Sequence, residues 1–277
     1  IAEDHLGISF GKDQIMEYEE FIKHYDANAL AAPLCTDFQF REKEIESIDS
    51  AYTNGNVVIL TGAAGVGKSR LALQYAKNHS ANHQETLLCI RDNSFPIYED
   101  LHHFVSLPGN YFIFIDDANE LSGLQHVIQY ATGAYTGICV KILLTVRDYA
   151  IKKVTDDISK IVSFQNIHIP AFSDEEIKGI VEKHYGIRND AYLSRIARIA
   201  EGNARIAMLA GKIALNKESI ESLRDLTHLF DLYYGEALKK EDVLDKETLQ
   251  CAAIAALLSP FRLQQEAVLS SLLATAG

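Results

Sequence analysis

The chain has 277 residues, 48% of them apolar and 23% charged, the balance of packed globular domains, and its length suits about two of them. Lys and Arg number 26 against 38 Asp and Glu, a formal charge of −12. Such a surface is wrong for non-specific nucleic-acid binding, which needs positive charge to displace counterions; it says nothing against a local basic patch. No apolar run approaches the about 18 residues of a membrane span. The opening Ile1-Ala2-Glu3-Asp4 is acidic, not the basic and apolar start of a signal peptide. The four Cys form no C-x-x-C pair and the ten His no metal-ligand spacing, so a reduced, cytoplasmic protein without zinc or disulfides is expected. The first Met is Met16, and apolar segments at 259–261 and 268–273 break off near the end; the sequence is expected to be a piece of a longer protein.

Ile15, Tyr18, Ile22 and Tyr25 recur at helical spacing and predict an amphipathic helix over 12–25. Residues 30–34 read as a linker, because Pro33 forbids continuation of a helix. A strand–helix alternation follows, the pattern of a parallel sheet covered on both faces. The runs 56–61, 85–90, 111–116, 141–146 and 164–169 are the strands, largely apolar and too short for helices. Between them, 68–78 carries Leu71, Ala72, Tyr75 and Ala76 on one helical face, and Leu121, Leu124, Val127, Ile128 and Ala131 form a second stripe. Cys89 and Cys139 sit inside strand runs as small hydrophobes, and His102-His103 reads as a wet loop or a helix end. The expected fold class is α/β, an open doubly wound sheet of five parallel strands. After Pro170 only helices are expected. Ser173-Asp174-Glu175-Glu176 is a capping box ahead of Ile177, Ile180 and Val181. Leu193, Ile196, Ala197 and Ala200 mark a second helix, ended by Gly202; 206–213 and 220–230 mark two more, and 248–258 opens a further unit.

The central motif is Gly62-Ala63-Ala64-Gly65-Val66-Gly67-Lys68-Ser69, a complete G-x-x-x-x-G-K-S phosphate-binding loop between a strand and a helix. Its glycines let successive N–H groups turn inward on phosphate oxygens, and the helix beyond adds its dipole. Lys68 is expected on the β- and γ-phosphates and Ser69 on Mg²⁺; Arg70 completes the nucleotide-binding run. The strand ending Ile115-Asp116-Asp117 places an acid where Mg²⁺ is held, and Asp116 is expected there through a metal-bound water. Asp117 is either the base that polarises the attacking water or a solvated helix-start residue. Asn119 and Glu120 are candidates for the same role, or a helix cap and a surface residue. Arg147, after the strand Leu143-Leu144-Thr145-Val146, is expected to read the γ-phosphate from the carboxyl edge of the sheet. Arg205, in Gly202-Asn203-Ala204-Arg205, is placed to reach back across a cleft. No N-K-x-D occurs, which favours ATP over GTP.

Taken in order, the phosphate loop, Ile115-Asp116-Asp117, Leu144-Thr145-Val146-Arg147 and Gly202-Asn203-Ala204-Arg205 resemble the STAND class of P-loop NTPases, signal-transduction switch ATPases. Residues 1–35 read as an N-terminal helix and linker; the resemblance covers about 36–277 and implies 36–170 as the nucleotide-binding domain, 171–240 as a helical lid and 241–277 as the start of a winged helix. Phe38-Gln39-Phe40-Arg41-Glu42 is similar to the family's opening motif, which implies Arg41 near the nucleotide, although Phe40 stands where that motif has Gly. Ala204 stands where the family's lid has Pro, and the G-N-A-R run is closer to the second sensor of AAA+ ATPases. The implied activity is a slow ATPase switch, using ATP, ADP and Mg²⁺, within a larger signalling or antiviral defence protein. It would form a nucleotide-dependent homo-oligomer, with effector and sensor domains elsewhere in the chain. An AAA+-like motor or loader acting on DNA and a non-hydrolysing scaffold are the alternatives.

Overall fold

Alternate residues of each central strand face opposite sides, and here both sides are apolar, so the sheet has to be covered on both. The computed structural model describes residues 14–28, 37–92, 96–133 and 135–216, all within the unit Ile1–Leu223. The strands are β1 (Ile15–Met16), β2 (Val57–Thr61), β3 (Thr86–Ile90), β4 (Gly109–Ile115), β5 (Ile138–Thr145) and β6 (Gln165–His168). They form one sheet in the order β1-β3-β4-β5-β2-β6. Every pairing is parallel except that of β1, which runs antiparallel to β3. The helices are α1 (Tyr18–Asn28), α2 (Glu42–Tyr52), α3 (Lys68–His83), α4 (Tyr98–Phe104), α5 (Leu124–Tyr130) and α6 (Ile151–Ile158), then α7 (Asp174–Tyr185), α8 (Asp190–Ala200) and α9 (Ala204–Asn216). Val57, Ile59, Ile113, Ile115, Ile142 and Leu144 join Val127, Ile128, Val154 and Ile158 in one core. Val58, Leu60, Phe112, Phe114 and Leu143 join Phe21, Ile48, Leu71 and Ala76 in the other.

The five expected parallel strands are present, with a sixth. Ile15 and Met16 belong to β1, not to a helix over 12–25; the chain turns helical only at Tyr18. Their apolar side chains are buried by pairing with Ile90 and Cys89, and the short strand covers an edge that would otherwise expose unpaired amides. α3 runs to His83, five residues past the expected end, with His79 and Ser80 buried in its last turns. Helices α2, α4 and α6, of 11, 7 and 8 residues, were not expected from the sequence. Cys89 is buried as expected, whereas Cys139 is exposed, near the start of β5. His102 and His103 do close a helix, α4. The linker at 30–34, the helices at 220–230 and 248–258, and the winged-helix start lie outside the described residues.

Beyond Pro170 the chain is helical. Ser173 caps α7, accepting from Glu176 N (3.3 Å), and Glu176 Oε2 accepts from Ser173 N (2.7 Å). Between α8 and α9, Glu201 (φ 47°) and Gly202 (φ 77°) are left-handed, and the Gly202 carbonyl accepts from Phe172 N (3.0 Å). A Cβ at Gly202 would strike the Phe172 carbonyl oxygen, which is backbone and cannot swing aside. Gly202→Ala is therefore expected to cost about 2 kcal/mol or more, from the left-handed conformation and the forced displacement together. Thermal unfolding should register this as a fall of several degrees in Tm.

Candidate functional site

Parallel strands deliver their carboxyl ends to one edge, and the phosphate loop, Asp116-Asp117 and Arg147 each follow such an end. β2 ends at Thr61 and the loop Gly62–Gly67 curls into α3 with positive φ at Gly62 (146°), Gly65 (82°) and Gly67 (90°). Gly62 and Gly65 are also close approaches. A Cβ on the first would strike the Ile169 carbonyl oxygen, and on the second the Asn203 side-chain amide. Lys68 is buried and donates to Gly62 O (2.7 Å) and Ala63 O (2.9 Å). Burial lowers its pKa, against the raising influence of Asp117, Asp148 and Asp116.

Beside the loop runs a chain of polar contacts. Ser69 Oγ and Thr145 Oγ1 both donate to Asp116 Oδ1, at 2.6 and 2.8 Å. Thr145 Oγ1 in turn accepts from Asp117 N (2.8 Å). The Asp117 carboxylate receives Arg147 through both its oxygens, from Nε at 3.2 Å and Nη2 at 2.7 Å. Arg147 also meets Glu120 (3.2 Å), and its own amide is held by Asn119 Oδ1 (3.2 Å). Asn119 and Glu120 therefore serve Arg147; neither caps or lies on a helix, since 116–120 is a turn. The Asp117 backbone is left-handed (φ 46°), a conformation that directs its side chain away from the strand path. Thr145, which bridges the two acids, has no role assigned by sequence; its only signal is being the last residue of a strand whose neighbours carry the motifs.

The acid expected to serve Mg²⁺ is fully enclosed. Burial pushes the Asp116 carboxyl above its ordinary range, and the charge of Asp117 adds to this; the Ser69 and Thr145 hydrogen bonds oppose it. A carboxyl raised in the folded state gives its stability below the unfolded value of about 3.9 and loses it as pH rises through the folded one. Asp116→Asn keeps an acceptor for both hydroxyls and removes the buried charge. Its Tm at neutral pH without Mg²⁺ should exceed the parent's by a few degrees, the gain disappearing in acid. The oxygen-only pair of Ser69 and Asp116 suits Mg²⁺ and not a soft metal. Among the described residues no group of three or more His, Cys, Asp or Glu is placed to hold a metal ion. Mg²⁺ here would take its remaining ligands from phosphate and water, as this ion commonly does.

These groups open onto a cavity of about 310 Å³, lined by Gly65, Gly67, Lys68, Ser69, Asp117 and Arg147 on one side and by Ala204 and Arg205 on the other. Tyr25, Phe38, Phe172, Ile180 and Met208 add apolar and aromatic wall; only Phe38 stood in a motif that the sequence singled out, and the other four were missed. The helical part is tied directly to the phosphate loop. Asn203 Nδ2 donates to Ala64 O (3.0 Å) and Arg205 N to Gly65 O (3.4 Å). Arg70 also lines the cavity, bonded to Gln74 (3.1 Å), with its guanidinium 5.5 Å from the Phe38 ring. Arg41 borders it too, but its guanidinium is bound by protein. It donates to Val66 O (3.0 Å), Pro170 O (2.8 Å) and Glu44 (2.9 Å) and lies 3.7 Å over the Phe172 ring. Phe40, standing where the STAND motif has Gly, is itself left-handed (φ 59°).

No protein-family model and no curated protein matches the sequence. The fold, however, is similar to that of solved structures. The RuvB Holliday junction branch migration motor of Thermotoga maritima shares 17% identity over 69% of this chain and 68% of that one, with a TM-score of 0.50. The ORC2 protein of Aeropyrum pernix, in ADPNP and ADP complexes, shares 17% over 84% and 74%, with a TM-score of 0.52. A Walker-type ATPase of Pyrococcus abyssi shares 12% over 74% and 75%, also with 0.52. At such identities the likeness speaks for the fold: an α/β P-loop NTPase core of mostly parallel strands with attached helices. No described helix is long and apolar enough to cross a membrane.

Proposed function

We propose that the chain is an ATP-binding and ATP-hydrolysing switch module of the STAND kind, in which nucleotide state sets the position of the helices beyond Pro170. The observation that carries this is the continuous run Ser69–Asp116–Thr145–Asp117–Arg147 beside a complete phosphate loop. Loop amides and Lys68 grip the β- and γ-phosphates. Arg147 and Arg205, from opposite walls, meet the terminal phosphate. When Arg147 turns to that phosphate it releases Asp117, whose carboxylate then orients and deprotonates the attacking water. Ser69, and Asp116 through a bound water, would hold Mg²⁺, which would offset phosphate charge. Loss of the γ-phosphate removes contacts that are each about 1.5–3 kcal/mol, enough to shift a two-state equilibrium tenfold or more.

Slow turnover, homo-oligomerisation on ATP loading, a cytoplasmic setting, and effector and sensor partners elsewhere in the protein belong to this reading, as does a signalling or antiviral output. The similarity to RuvB and ORC2 favours a second one, an AAA+-like motor or loader on DNA; the formal charge of −12 weighs against a basic DNA track on this chain. Calorimetry with Mg²⁺–ATP and Mg²⁺–ADP, then phosphate release with and without DNA, tests both. Binding with release that DNA leaves unchanged supports the switch. Strong stimulation by DNA supports the motor, binding without release leaves a nucleotide scaffold, and no binding ends all three.

A further inference from the structure

The segment ahead of the phosphate loop reaches the same cavity from another side. β1 pairs with β3, Ile15 opposite Ile90, and Gln14 O accepts from Arg91 N (3.1 Å). This clips α1 to the sheet. Phe21 is buried against Phe114, edge-on at 5.6 Å, which fixes the rotation of the helix. One turn on, Tyr25 stacks with Phe21 (6.3 Å), and the Arg91 guanidinium lies 5.2 Å from its ring centre. β3 and β4 run in parallel register with Ile90 opposite Ile115, and Asp116 N donates to Ile90 O (3.0 Å), so Arg91 and Asp116 emerge side by side. Tyr25 therefore stands at the Asp116 end of the cavity, whose lining it shares with Lys68, Ser69, Asp117, Arg147 and Arg205.

The Tyr25 hydroxyl has no hydrogen-bond partner among the described residues, although the side chain is half-buried. Phenols so placed find a partner, and the charged groups close enough to act on this one are Asp116, Arg205, Arg91 and Asp117, which gather at the phosphate-loop end of the cavity. Burial, and after it the charge of Asp116, raise its pKa, so the group is a donor at neutral pH. We infer that Tyr25 contacts the terminal phosphate, its O–H donating to a γ-phosphate oxygen, so that the N-terminal segment distinguishes triphosphate from diphosphate. The inference rests on the ATP-binding reading above. It makes α1, held by a two-residue strand, the buried Phe21 and the partly buried Tyr18 and Ile22, an element that triphosphate secures and diphosphate does not.

Tyr25→Phe keeps the ring, and with it the Phe21 and Arg91 contacts, and removes only the donor. Calorimetry on the 277-residue chain with Mg²⁺ would compare a non-hydrolysable ATP analogue with ADP. The analogue is expected to weaken about tenfold or more while ADP stays within about twofold. Equal weakening of both ligands, as a general disturbance of the cavity would produce, or no change in either, overturns the inference and leaves the ATP-binding reading standing. A parent chain that binds neither nucleotide overturns both.

Discussion

Lys68→Ala is expected to weaken Mg²⁺–ATP and Mg²⁺–ADP by about 10²-fold or more while the fold survives. The side chain is buried at the start of α3, and among the described residues its ammonium donates to two carbonyls of its own loop, Gly62 O and Ala63 O. It ties no distant element together, so its removal leaves the sheet and both cores as they are. Phosphate would take over the donors those carbonyls now hold, and charge-assisted bonds of about 1.5–3 kcal/mol each set the loss. Burial already lowers the pKa of Lys68, while Asp117, Asp148 and Asp116 support its charge; polyphosphate would support it further. Calorimetry gives the affinity and thermal unfolding the fold. Unchanged affinity for both nucleotides would end the ATPase reading.

Asp117→Ala separates binding from chemistry. Turnover should fall about 10²–10⁴-fold, the range for loss of a positioned base, with nucleotide affinity kept or improved. The improvement has a structural source. Arg147 spends two N–H groups on Asp117, and that pairing pushes its pKa further up. Truncation leaves the guanidinium with Glu120 alone at this end, readier to meet phosphate. Single-turnover phosphate release beside calorimetry measures both quantities. A variant that releases phosphate at the parent's rate would return Asp117 to a purely structural role as the clamp on Arg147.

The phosphate loop and the strand-end acids were legible because each depends on chemistry confined to a few adjacent residues. The parallel strands were legible because burial on both faces leaves unbroken apolar runs. What sequence could not supply is pairing between distant segments. Ile15 satisfies a helical period with Tyr18, Ile22 and Tyr25, yet the unpaired edge of β3 draws it into a strand. The same clip carries Tyr25 into the cavity, and nothing near residue 25 announces it. Arg41 illustrates a different shortfall: its place by the cavity was readable from the motif around it. Its actual partners, Val66 O and Pro170 O, lie 25 and 129 residues away. Asp117 and Arg147 were each singled out as candidates and both line the cavity, but their mutual grip across 30 residues was not legible.

The two threads from the helical part to the loop carbonyls of Ala64 and Gly65 have a kinetic corollary. In the proposed switch, a swing of those helices away from the sheet would sever both at once, and the anion cradle would lose stiffness it had borrowed from outside itself. On the switch reading, departure of nucleotide and opening of the helical part would then reinforce each other, and exchange would proceed as a single cooperative event instead of a gradual loosening.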